Sequence, residues 1–265
     1  MSDLGARIAV AVPAIVFAIF IVVQGGWWFV AGAALLGLAC LHELYQMLDQ
    51  VRPARLAGFL ALVGLAIAAK LGGPEQVLLV AVASVALTFL LTLAGPSAAG
   101  GVFGIAAVLL GVFWVGLAIA HAILLRELDY GGAALAAILA GTFAGDTGAY
   151  FGGKALGRHR MAPTISPNKT WEGLAFGIFT AVLTVWIVNW YQDFIDTPQA
   201  LILGVTVAIA APIGDLFESF IKRDVGTKDT GSMFGAHGGA LDRLDAVLFT
   251  LVAGYYVWLA LLPMT

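Results

Sequence analysis

The sequence predicts an all-α, polytopic integral membrane protein with about nine transmembrane helices and a cytoplasmic N-terminus. Three observations predict it. First, 61% of the 265 residues are hydrophobic and only 11% are charged, with mean hydropathy +0.98. A soluble domain carries roughly 25% charged residues, because even a large core needs a charged shell. Second, the apolar residues come in runs of about 17–25, enough for a helix to cross about 30 Å of hydrocarbon. Alternating patterns of about ten residues, the mark of barrel strands, are missing, so helices satisfy the backbone inside lipid. Third, the basic residues segregate between alternate connections.

The expected spans, in order, are roughly 7–24, 26–42, 56–72, 75–95, 101–125, 132–151, 171–191, 199–222 and 244–263. The first follows Arg7 and resembles a secretory signal over Ile8 to Val23. A second apolar run begins at Trp27, and no small-residue cleavage site leads into a polar domain, so a retained span is expected. Gly25-Gly26, Pro53, Gly72-Gly73-Pro74 and Gly95-Pro96 punctuate the next runs. Trp27, Trp28, Trp190 and Tyr191 fall at span ends, where interfacial aromatics belong. Cys40, the single cysteine, lies in an apolar run and reads as a small core residue. No internal repeat supports an inverted-repeat transporter.

With nine spans and the N-terminus inside, Arg7, Arg52, Arg55, Lys154, Arg158, Arg160, Lys169, Lys222, Arg223, Lys228 and Arg243 all face the cytoplasm. Only Lys70 and Arg126 face outward, and dropping one internal span would scatter the basic residues. The net charge of −3 gives no footprint for a nucleic acid. Residues 1–130 are expected to form a membrane scaffold with dimer contacts. Residues 131–265 are expected to carry the catalytic region.

Two segments break the lipid pattern, Gly145 to Gly173 and Gly214 to Asp245, both rich in glycine and charge. In the second, Asp215, Glu218, Ser219 and Lys222 follow the i, i+3, i+4, i+7 spacing that shares one helix face. Asp215 follows an apolar stretch, and a carboxylate deep in a bilayer costs about 2.5–3.5 kcal/mol on insertion scales. Such a group either glues helices through a partner such as Lys222 or has a chemical task. Asp242 and Asp245 are three apart at the start of the last span, where they either cap that helix or project together toward a ligand. Carboxylates gathered at one depth repel unless a cation binds among them, and hard oxygen donors suit Mg²⁺. Lys222, Arg223 and Lys228 supply cationic donors for phosphate, while Gly238 and Gly239 let backbone N–H groups approach an anion. His237 is a further donor with no firm role. In the first segment, Asp146 is another carboxylate near a span end. Ser166-Pro167-Asn168-Lys169-Thr170 reads as a turn that opens the next span and offers an anion site.

These motifs resemble the signature of the phosphatidate cytidylyltransferase (CDP-diacylglycerol synthase) family. The matching pieces are Gly-Asp-Leu-x-Glu at 214–218, Ser-x-x-Lys-Arg at 219–223, Lys-Asp-x-Gly at 228–231, His-Gly-Gly at 237–239 and Leu-Asp-Arg-Leu-Asp at 241–245. Asp146-Thr-Gly-Ala-Tyr-Phe and Ser166-Pro-Asn-Lys-Thr-Trp-Glu-Gly fit as well. The resemblance covers roughly 141–250. The one departure is Gly235-Ala236, where many relatives have Pro-Gly. The resemblance implies a homodimeric enzyme of the cell's inner membrane, its site facing the cytoplasm, that moves CMP from CTP to phosphatidic acid and releases pyrophosphate. It implies Mg²⁺, with room for a second metal ion, at Asp215, Asp242 and Asp245, with Glu218 a further candidate. Lys222 and Arg223 become phosphate contacts, and Lys169 and Asp146 further members of the site. Rival expectations are a CTP-dependent enzyme acting on an ether lipid or a polyprenol, and an ion-coupled transporter.

Overall fold

Long apolar runs fold as helices in the computed structural model, which describes residues 13, 16–190, 192–231 and 238–261. Helix α1 covers 16–24, followed by α2 (Gly26–Met47), α3 (Arg55–Leu71) and α4 (Pro74–Ala94). Then come α5 (Gly101–Gly111) and α6 (Leu117–Glu127), joined by one π-helical turn, Val112–Gly116. The second half holds α7 (Gly131–Leu156), strands β1 (Arg160–Ala162) and β2 (Ser166–Thr170), α8 (Trp171–Asn189), α9 (Thr197–Val225) and α10 (Leu241–Leu261).

Among the described residues, each expected span from 26–42 onward corresponds to a helical segment, and six segments are long and apolar enough to cross a membrane. They are Gly26–Met47, Pro74–Ala94, Ala98–Glu127, Trp171–Asn189, Thr197–Val225 and Leu241–Leu261. α3 is short at 17 residues, and α7 is diluted by glycines and Asp146. Much of the first expected span, with Arg7, lies outside the described residues, as does Tyr191. The all-helical expectation needs one correction: β1 and β2 form an antiparallel hairpin, with Arg160 opposite Thr170 and Ala162 opposite Ser166. The expected turn at 166–170 is therefore a strand. Its extended backbone accommodates Pro167, which disfavours helix for the residue before it.

The chain divides into two compact units. One holds residues 1–127 with 225–244, the other 128–224 with 245–265. The first unit packs around Leu41, Leu44, Leu62, Leu65 and Ile123, all fully buried. Tyr45 sits in the same core, where its hydroxyl donates to the Val108 carbonyl at 3.0 Å. Cys40 is buried there as well. Lys70 and Glu127 pair at 2.7 Å, which brings the C-terminal ends of α3 and α6 to one level.

In the second unit, small residues bring helix backbones together. A Cβ on Gly145 would meet Ala181 Cβ at 3.2 Å, and one on Gly177 would meet the Gly145 carbonyl at 3.0 Å. The Thr180 hydroxyl crosses to the Ala144 carbonyl at 3.2 Å. Small residues at such spacing are what membrane helices use to approach closely. The unit is polar at one end and aromatic at the other. At the aromatic end Tyr130 stacks on Phe194 at 4.1 Å, and Trp258 donates to the Asp129 carbonyl at 3.2 Å.

Candidate active site

The polar end of the second unit is built on the hairpin. Thr170 closes β2 and caps α8, its hydroxyl accepting the Gly173 N–H at 3.1 Å. Glu172, in the first turn of α8, accepts the N–H groups of Arg158 at 3.0 Å and His159 at 3.2 Å, and its other oxygen meets the His159 ring at 2.6 Å. Trp171 N–H donates to the His159 carbonyl at 3.0 Å. From α9, the Arg223 guanidinium donates to the Ile165 carbonyl at 3.1 Å. These ties at both ends and the tip fix a short hairpin that could not hold its shape as two isolated strands.

The hairpin delivers Lys169 to α9, where its ammonium lies 2.6 Å from an Asp215 oxygen. The other Asp215 oxygen accepts the Ser219 hydroxyl at 3.3 Å. One turn on, Lys222 pairs with Glu218, whose side chain is 1% exposed. The backbones of α9 and α10 touch beside this face: a Cβ on Gly214 would stand 2.5 Å from the Asp245 carbonyl oxygen and 3.0 Å from Ala246 Cα. Asp245 consequently feels the charges of Glu218, Asp215 and Asp146. Asp146, from α7, feels Asp215 and Lys169. Four carboxylates from three helices thus share a field with Lys169 and Lys222, and acid exceeds base.

A second carboxylate pair lies in the first unit. Asp242, in the first turn of α10, accepts the N–H of Gly239 at 2.7 Å and of Thr230 at 3.1 Å. Both donors precede the helix, so Asp242 ties the start of α10 to the segment before it. Gly238 adopts φ +79°, and a Cβ there would sit 2.7 Å from the Asp242 carboxylate. Glu43 of α2 joins the same group, accepting the Leu241 N–H at 2.9 Å and the Thr230 hydroxyl at 3.3 Å.

Of the residues singled out in the sequence, Asp146, Lys169, Asp215, Glu218, Lys222 and Asp245 come together in the second unit. Arg223 is turned to the hairpin backbone. Ser166 is half-buried in β2, and Asn168 is exposed there. Asp242, Gly238 and Gly239 group with Glu43 in the first unit, and Lys228 is exposed. His237 lies outside the described residues, as do Gly235 and Ala236. Glu43 and Glu172 are the polar residues that sequence reasoning did not assign to the site.

Among the described residues, no three acidic, imidazole or thiol groups are gathered tightly enough to form a ready-made metal cage. The donor set fits Mg²⁺ nonetheless, because that ion keeps several waters and takes one or two carboxylates plus substrate phosphates rather than an all-protein cage. The acidic excess around Asp215 and Asp245 is the chemistry such an ion needs.

Residues 5–261 match the model of the cytidylyltransferase family. The chain is 43% identical over 121 residues to a phosphatidate cytidylyltransferase of Helicobacter pylori (strain ATCC 700392 / 26695), covering 46% of this chain and 45% of the relative. To a phosphatidate cytidylyltransferase of Mycobacterium tuberculosis (strain ATCC 25618 / H37Rv) it is 38% identical over 151 residues, 57% of this chain and 45% of the relative. It is 36% identical over 177 residues to the uncharacterized protein YnbB of Escherichia coli (strain K12), 63% of this chain and 59% of that one. The chain therefore spans about half the length of the curated relatives it matches.

Proposed function

The chain belongs to the cytidylyltransferase family, and we propose that it transfers CMP from CTP to phosphatidic acid, giving CDP-diacylglycerol and pyrophosphate. The observation that carries this reading is the meeting of Asp146, Asp215, Glu218 and Asp245 with Lys169 and Lys222 at one end of a helical bundle. Relatives named phosphatidate cytidylyltransferase support the choice of reaction.

Both reactants are anionic, so charge neutralisation and alignment are the main barriers. A phosphatidate oxygen forms the new bond to the α-phosphorus of CTP as the bond from that phosphorus to the bridging oxygen breaks. The electron pair leaves with pyrophosphate. A phosphate nucleophile is largely ionised at neutral pH, so no strong base is required, and none is assigned to His237. Asp242, in the first unit, is assigned to the reaction on the family's motif alone. In the second unit Asp215 and Asp245, with Glu218 as a further donor, would hold Mg²⁺. When bound there, the ion supplies charge neutralisation for the phosphates and the leaving group. Lys169 and Lys222 offset the remaining charge and fix the phosphate position. Arg223, by gripping the Ile165 carbonyl, keeps the hairpin that presents Lys169, Ser166 and Asn168 in place. Lys228 and the Gly238 amide are assigned to the triphosphate, while the Gly239 N–H is held by Asp242. A second metal ion belongs to the same site.

Nine membrane crossings with the N-terminus in the cytoplasm complete the proposal, placing this end of the bundle at the cytoplasmic face of the inner membrane. Support comes from the second unit. Gln199 of α9 contacts the end of α10 and Asp215 contacts the hairpin, sixteen residues apart on one helix. At 1.5 Å per residue that is about 24 Å, most of the hydrocarbon thickness. Homodimerisation rests on the family alone.

The test uses purified full-length protein in phosphatidic acid vesicles with Mg²⁺ and CTP labelled at the α-phosphate. Label in CDP-lipid with equimolar pyrophosphate supports the proposal. Transfer only from γ-labelled CTP would indicate a lipid kinase, and no transfer with phosphatidic acid but transfer to a polyprenol phosphate would move the substrate class. Asp245→Asn should abolish transfer in protein that still inserts and folds; near-normal turnover in it would defeat the assignment of the acidic cluster.

A further inference from the structure

Glu43 lies in the C-terminal part of α2, a helix otherwise made mainly of apolar and small residues, and is 3% exposed. An ionised carboxylate in such surroundings is costly unless donors meet it. Those donors come from the segment that leads into α10. Oxygen Oε2 accepts the Leu241 N–H at 2.9 Å and the Thr230 hydroxyl at 3.3 Å. Oxygen Oε1 faces Gly231, where a Cβ would stand only 2.6 Å away, and it finds no donor among the described residues. Glycine at 231 and 239 is what lets this backbone close around the carboxylate, because a Cβ on Gly239 would run into both Glu43 and Thr230.

Thr230 links two acids: its hydroxyl donates to Glu43 and its N–H donates to Asp242 at 3.1 Å. Gly239 N–H reaches Asp242 from the other side at 2.7 Å, and Leu241, held by Glu43, immediately precedes Asp242. Glu43 therefore grips the chain on both sides of 232–237 and sets the backbone from which Asp242 projects. We infer that Glu43 is a positioning residue for the reaction, acting through the Thr230 hydroxyl and the Leu241 N–H to fix the Asp242 carboxylate. This inference rests on the proposed role of Asp242 in cytidylyl transfer.

The test compares Glu43→Leu with Glu43→Gln in the full chain. Leucine removes both acceptor oxygens but eases insertion of α2 into lipid, so a failure to enter the membrane does not confound it. Glutamine keeps one acceptor oxygen. Hydrogen exchange at the amides of Thr230, Gly239 and Leu241 reports the grip, and kcat and KM for CTP report the reaction. In Glu43→Leu those three amides should exchange at least about tenfold faster while α3 and α4 are unchanged. The kcat should fall about 10–100-fold, the range for groups that orient a reactive ligand, with KM for CTP moving much less. Glu43→Gln should restore most of both. Thr142→Val, which removes a buried hydroxyl pair with Thr250 in the other unit, controls for general loss of stability and should leave the three amides alone. Normal exchange or normal kcat in Glu43→Leu overturns the inference, and so does a glutamine variant as impaired as the leucine one. If the wild-type protein transfers no CMP, the functional reading fails. The exchange data then still decide whether Glu43 holds the segment.

Discussion

The Lys222–Glu218 pair offers the sharpest energetic test. Glu218 is 1% exposed and Lys222 12%, so both charges have left most of their solvent. Removing one partner of such a pair costs about 3–5 kcal/mol, because the other stays buried without compensation. The two removals are not equivalent here. Lys222→Met leaves Glu218 in the field of Asp245 without its i+4 ammonium, with Lys169 engaged at Asp215. It should cost the full 3–5 kcal/mol of stability. Glu218→Gln relieves that repulsion and leaves Lys222 beside an acidic cluster, with a long side chain able to reach toward water. It should cost no more than about 1–2 kcal/mol, the scale of a lost hydrogen bond. The double variant, neutral at both positions, should fall well below the sum. Equilibrium unfolding in a bilayer mimic, read by a reporter on the second unit, gives all three values. Mg²⁺ should recover part of the Lys222→Met loss by supplying the missing positive charge, up to about 2.7 kcal/mol at a hundredfold excess over its dissociation constant. Equal costs for the two single variants, or a larger cost for Glu218→Gln, would refute the account of an acid-rich cluster.

Two further predictions separate packing from chemistry. Gly214→Leu must drive α9 and α10 apart, since even its Cβ would lie 2.5 Å from the Asp245 carbonyl; a stability loss of about 1–3 kcal/mol, with loss of turnover, is expected in the same unfolding and transfer assays. Lys169→Met should cost less than about 1 kcal/mol of stability, because its partner Asp215 is 33% exposed, yet turnover should fall at least about tenfold, a split that steady-state kinetics beside an unfolding curve will show.

The membrane helices were legible because the length of an apolar run is set by the bilayer and needs no knowledge of neighbours. Asp215 was legible for a related reason, as a charge following an apolar stretch, and Asp245 by its three-residue spacing from Asp242 at the start of the last span. The hairpin was not. Its Ser-Pro-Asn-Lys-Thr composition suits a turn equally well, and what makes it a strand is pairing with a three-residue β1 and ties from Glu172 and Arg223. Glu43 was missed through a boundary. The expected second span stopped at 42, whereas α2 continues to Met47, so a buried acid looked like the polar edge of a helix. A signal was present: Glu43 follows Cys40 by three residues and precedes Met47 by four, which puts it on their buried face. In the sequence Asp242 stands between capping and chemistry, because its position at the start of the last span suits both. In the structure its carboxylate accepts N–H groups from Thr230 and Gly239, both ahead of the helix, so it ties the preceding segment to the start of α10.

The departure of α7 from a simple membrane span has the same physical origin as the site it serves. Its glycines and Asp146 keep it out of the six segments apolar enough to cross a membrane. Those features are also what the polar end of the second unit requires. Gly145 and Gly148 bring α7 against Ala181 and Thr180 of α8, and a larger residue at 145 would push away the turn that carries Asp146. An apolar α7 with leucine at these positions would insert more readily and would hold Asp146 too far from Asp215 and Lys169 to share their field. Weak hydropathy in this helix is therefore the cost of bringing a fourth carboxylate to the cluster, and the surrounding apolar helices α8, α9 and α10 make that cost tolerable.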